Sequence, residues 1–198
     1  MLGIALGLGW VYKGSQQQKR IRLLAHYLSR HAIEKNIETV TQGYLRALGE
    51  AEPARREQVW AVLQGNEQAL CQQVAQLAKE FAEVDPTLTR VSRLAIWLPV
   101  GPAFDRSFDM RQALQVHARG IARAVEVVAE SDEARRDRAF AISAELLLLQ
   151  HTCHWYCRSK LVATARLRAL HQTDYPQVLA AVRPQTRADY LALVAPGT

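Results

Sequence analysis

Apolar positions recur along this chain at steps of three and four, the spacing that lines up one face of a helix. Ile21, Leu24, Leu28, Ile37, Val40, Tyr44 and Leu48 mostly follow it, with Ser15 and Gln18 as a capping-box pattern ahead of them and Gly49 suited to the end. This predicts a helix over 15–48. Val59, Trp60 and Leu63 mark a short helix after Glu52-Pro53, closed by Gly65-Asn66. Leu70, Val74, Leu77, Phe81 and Val84 then make a four-three-four-three seam, broken by Asp85-Pro86. Val91, Leu94 and Leu98 suggest a short helix running into Pro99. Asp109 can cap a helix whose stripe is Met110, Leu114, His117, Ile121, Val125 and Val128.

Ser131 caps the longest element, expected from 132 to about 170, acidic at its start (Asp132, Glu133) and basic at its end (Arg166, Arg168), as the helix dipole favours. Asp174-Tyr175-Pro176 opens a short helix that ends near Pro184, and Thr186 with Asp189 opens the last. No period-two alternation is long enough for a strand. The fold class is therefore all-α, a multi-helix bundle of about six to eight helices around a long, largely buried helix near 132–170. Its expected core includes Leu24, Leu28, Leu77, Phe81, Leu114, Ile121, Phe140, Leu147 and His154.

Within the long helix, Ala139 to Cys157 holds one charged residue, Glu145, and four consecutive leucines, Leu146 to Leu149. At 100° per residue those leucines point all the way round, leaving no solvated face. Gln150, His151, Thr152 and His154 would go unpaired in hydrocarbon, so this is the central strut of a globular core.

The chain of 198 residues suits one domain, and a hydrophobic content of 49% excludes a disordered one. Three cysteines cannot complete a disulfide framework and fit a reducing compartment, the cytoplasm. The net charge of +6 is unevenly spread: +5 over 1–49, −4 over 50–85, +4 over 86–123, −3 over 124–145 and +4 over 146–198. Segments of alternating sign can pair inside a bundle. Alternatively the three basic blocks converge on one face and meet nucleic acid or an anionic lipid surface.

The first twelve residues carry no charge, and Lys13, Lys19, Arg20 and Arg22 follow them. A cleaved signal would place its cations first, and twelve helical residues reach about 18 Å, short of a full membrane span. Residues 1–14 are thus expected to be an apolar docking or anchor segment ahead of a single helical domain, 15–198. It would be buried or held by a partner, with peripheral lipid contact as the alternative. Leu94 to Phe104, LAIWLPVGPAF, is also uncharged and would be an unusually apolar loop unless covered.

His151, Cys153, His154 and Cys157 form the one cluster of soft ligands. Cys153, His154 and Cys157 project into one helical sector and could give zinc two of its ligands, with others from Cys71, His117, His26 or His31. The competing reading is a buried helix using cysteine as a small apolar residue. Leu24-Ala25-His26-Tyr27-Leu28 resembles the start of the histidine-phosphotransfer motif A-H-x-L-K-G, but Ser29 and Arg30 stand where that family has Lys and Gly. A bulky residue at the glycine position obstructs a docking receiver domain. Asp105 and Asp109 sit four apart, and capping accounts for Asp109. No P-loop, dinucleotide fingerprint or nucleophile elbow occurs.

The expected function is therefore a non-enzymatic helical interaction protein, an adaptor, chaperone-like or assembly component. Its protein-binding surface would be Leu2, Ile4, Leu6, Leu8 and Trp10 with Trp97, Leu98 and Phe104. No cofactor is expected on that reading. The alternatives are a basic nucleic-acid-binding protein and a metal or redox domain built on the His151–Cys157 cluster with zinc.

Overall fold

The computed structural model describes residues 2–94 and 107–195, and residues 2–13 by their backbone alone. Nine helices and one two-stranded ladder are found among them: α1 (Leu2–Arg30), α2 (Ile33–Gly49), α3 (Pro53–Phe81), α4 (Pro86–Thr89), β1 (Arg90–Ser92), β2 (Ser107–Asp109), α5 (Met110–Val125), α6 (Asp132–Cys157), α7 (Lys160–His171), α8 (Tyr175–Ala181) and α9 (Pro184–Val194). The all-α architecture holds. The strands are three residues each, paired antiparallel with Val91 opposite Phe108, and both of those side chains are buried.

The 26-residue α6 is the axis. Leu146, Leu148 and Leu149 are each 2% exposed or less, as expected of a helix with no solvated face. α3 and α5 pack beside each other, α5 also packs on α6, and α1 and α2 run along α6. Arg20 of α1 meets Tyr156 at one end of α6, while Tyr44 of α2 shares Glu67 with Arg138 near the other. The α1–α2 rod is therefore antiparallel to the axis.

The sequence reading needs correction at several joints. The helix expected over 15–48 begins at Leu2 and breaks at His31-Ala32, where Ala32 takes a left-handed conformation with φ 50°. Gly65-Asn66 does not punctuate anything; α3 runs through both, because Leu63, Glu67 and Leu70 keep one buried face across them. The 132–170 helix is two, since Ser159 accepts a hydrogen bond from the Val162 amide and caps a new helix. The short helix expected around Val91 is instead α4 followed by β1. The last helix starts at Pro184 and buries Thr186. The caps at Asp109, Ser131 and Asp174 are where the sequence placed them.

Of the expected core, Leu24, Leu77, Phe81, Leu114 and Ile121 are buried. Leu28 and Leu147 are partly buried against it, and His154 is half-buried. Phe140 is 65% exposed. The buried line of α6 is Ala139, Ile142, Leu146, Leu149, Cys153 and Tyr156, and Phe140 lies about 150° from its centre. It sits where only one side of the helix is covered.

Candidate functional site

The carboxyl end of α6 gathers the chain's three basic blocks. Arg20 donates from Nη2 to the Arg90 carbonyl at 2.7 Å, and its Nη1 lies 3.5 Å from the Tyr156 carbonyl. Arg158 donates to Gln17 Oε1 at 3.1 Å. Trp155 Nε1 donates to the Ser92 carbonyl at 2.9 Å, and the Tyr156 hydroxyl to the Leu88 carbonyl at 2.9 Å. Lys160 Nζ sits over two rings, 5.0 Å from the centre of Trp155 and 4.7 Å from that of Tyr175. Arg20, Leu94, Trp155 and Arg158 line one small recess. α1, β1 and the α6–α7 junction are thereby tied into a single corner.

The stretches that meet there, 1–33, 86–104 and 146–173, contain no aspartate or glutamate at all. Among the described residues, Arg20, Arg93, Arg158 and Lys160 have no carboxylate partner. Lys19 and Arg22 flank Arg20 on exposed positions of α1. Burial pulls the Arg20 and Lys160 values below their ordinary range, the cost of holding a cation against rings and carbonyls without a counter-charge.

Both uncharged segments leave from this corner. α1 is helical from Leu2, and between Gly14 and Lys19 it buries no side chain. The 94–104 stretch is bracketed by β1 and β2, whose pairing closes its base beside Trp155. The sequence-predicted residues Trp97, Leu98 and Phe104 lie outside the described residues, as does Asp105. So do the side chains of Leu2, Ile4, Leu6, Leu8 and Trp10.

The soft-ligand cluster is divided between faces of α6. His151 is buried, with Nε2 3.1 Å from Thr164 Oγ1 and its ring stacked on Tyr175 at 4.6 Å. Cys153, His154 and Cys157 instead line a cleft of about 350 Å³ between α1, α2 and α6, floored by Leu24, Ile33 and Leu149. The cysteines are free thiols. Burial raises both, Cys157 to about 11, so neither is a ready thiolate. Burial also lowers His154, and Arg166 and His171 add to it. No three His, Cys, Asp or Glu side chains among the described residues are placed to hold a metal ion.

Sequence reasoning missed a polar seam buried between α5, α6 and α9. His117 Nε2 lies 2.9 Å from Thr152 Oγ1, which also donates to the Leu148 carbonyl and lies 3.0 Å from the Tyr190 hydroxyl. Two turns back along α6, fully buried Glu145 accepts from the Arg183 amide at 3.1 Å and faces Thr186 across Gly120. A Cβ on Gly120 would come within 2.6 Å of both Glu145 Oε2 and Thr186 Oγ1, so any larger residue here forces those side chains to shift. Burial lowers His117 to about 3 and His151 to about 4 and raises Glu145. His117, Glu145, Thr152, Thr186 and Tyr190 are all fully buried, and the seam reads as packing. Helical periodicity alone could have hinted at it: Glu145 and Thr152 are seven apart, His117 and Gly120 three, Thr186 and Tyr190 four.

Compared with known proteins, the chain matches no family model, no curated protein and no solved structure.

Proposed function

We propose that this is a non-enzymatic helical docking protein that holds a macromolecular partner at the corner where α1, β1 and the α6–α7 junction meet. Leu2, Ile4, Leu6, Leu8 and Trp10 with Trp97, Leu98 and Phe104 supply its apolar contact. The observation that carries the reading is the Arg20–Arg90 hydrogen bond of 2.7 Å, which fixes the stem of one uncharged segment beside the stem of the other. A tie between the described ends of two such stretches, far apart in sequence, supports their acting together. Uncharged surface of this length is costly to leave in water, so a partner that covers it gains the burial free energy. Among the described residues no helix is long and apolar enough to cross a membrane.

The test places a photo-reactive side chain at position 10 in one variant and at 97 in another. The expected result is one shared partner labelled from both positions, with labelling from 97 lost when residues 2–12 are deleted. Two unrelated sets of adducts, or none, would sink the reading.

A further inference from the structure

We infer that the partner of this corner is an anionic lipid bilayer, met through headgroup phosphates by Lys19, Arg22, Arg158 and Lys160. The inference rests on the docking reading above and names its partner.

The first ground is charge. Around the amino end of α6 cations are matched: Arg56 with Asp132 at 2.9 Å, Arg135 with Glu57 and Arg138 with Glu67. At the corner, among the described residues, Arg158 and Lys160 have no carboxylate; the stretches 1–33, 86–104 and 146–173 hold eleven basic residues and no acidic one, and of those eleven Arg30 and Arg168 pair with Glu80 and Asp174 outside the stretches. A surface so one-sided complements an anionic sheet, and each lysine or arginine near such a surface adds about 1 kcal/mol of attraction.

The second ground is what accompanies the charge. A polynucleotide would be met by cations alone or with stacking rings. Here the sequence adds two uncharged runs next to the corner's cations, MLGIALGLGWVY ahead of Lys13 and LAIWLPVGPAF after Arg93, with a tryptophan in each. Apolar residues with tryptophan, backed by lysine and arginine, are the composition of segments that lie in the interfacial zone of a bilayer. Neither signal suffices for stable anchoring by itself; the fold brings the two together.

The experiment is flotation of the full chain with two vesicle populations, phosphatidylcholine alone and phosphatidylcholine with about one-third phosphatidylglycerol. The expected result is flotation with the anionic vesicles, weakening as salt is raised. Arg158→Gln and Lys160→Gln should each weaken it about fivefold, the equivalent of one surface cation. Arg46→Gln, on an exposed site at the far end of α2, should leave it unchanged. Circular dichroism of each variant confirms that helix content is intact. Equal flotation with both vesicle types, or none, overturns the inference. A common protein adduct from positions 10 and 97 without flotation overturns it while leaving the docking reading standing. Loss of both adducts and flotation removes the two together. Salt-steep binding to a polynucleotide without flotation gives the corner to nucleic acid instead.

Discussion

The two ends of α6 treat arginine in opposite ways. Near the amino end, Arg138 reaches Glu67, which also accepts from Tyr44 at 2.6 Å, and Arg135 reaches Glu57. Glu67 is 4% exposed and the Arg138 side chain 14%. At the carboxyl end the cations rest on carbonyls, an amide oxygen and aromatic rings. Paired charges at the first end complete the fold. Those at the second end have no carboxylate among the described residues, which is the ground of the proposed docking role.

That contrast can be broken most sharply at Arg138. Arg138→Ala strands a buried carboxylate and should cost about 3–5 kcal/mol in urea unfolding. A loss near that of an exposed pair would mean that Glu67 is already neutral without it. Gly120→Ala comes next. It forces a methyl group against Glu145 and Thr186 and should cost about 1–3 kcal/mol by the same assay.

Acid sharpens the comparison. His117 and His151 titrate near 3 and 4 in the folded chain, below their ordinary 6.5. Between those values the unfolded chain binds protons that the folded one does not. Stability therefore falls as pH drops below about 6.5, by up to about 1.4 kcal/mol per pH unit for each histidine. The raised carboxyls of Glu145 and Glu67 work in the reverse sense, so the variant difference is the clean measure. His117→Leu should remove one proton's share of the slope between neutral pH and about pH 4.5. An unchanged slope would show His117 to be protonated in the fold.

Lys160→Gln should change stability least, by less than about 1 kcal/mol, since a partly exposed cation over rings contributes no more. A larger loss would recast the basic corner as a structural feature of the same kind as the amino end.

The axial helix was legible because four successive leucines leave no alternative to burial. The caps at Asp109, Ser131 and Asp174 were legible because each binds amides within its own turn. Features set by tertiary partners were not. Nothing local breaks the rod at Ala32, an alanine in a conformation that disfavours a Cβ. Ser159 was a readable cap, obscured by the apolar positions that continue past it. Phe140 failed for the converse reason: periodicity gives a face but not how far along the helix that face is covered. The uneven charge blocks were visible in the sequence, with internal pairing and convergence on one face as competing outcomes. Both occur: residues of the acidic blocks pair across the amino end of α6, Arg30, Arg123 and Arg168 also find carboxylates, and Arg20, Arg158 and Lys160 gather at the other end.

The axial helix also sets how independently those ends behave. Arg138 and Tyr156 are eighteen positions apart on α6, about 27 Å at 1.5 Å per residue. The Debye length at physiological ionic strength is about 8 Å. Solvent ions therefore screen the two ends from each other over roughly three decay lengths. Charge added or removed at the basic corner should leave the Glu67 titration where it is. The corner can then be retuned, by substitution or by modification of its lysines, without disturbing the ion pairs that hold the opposite end together.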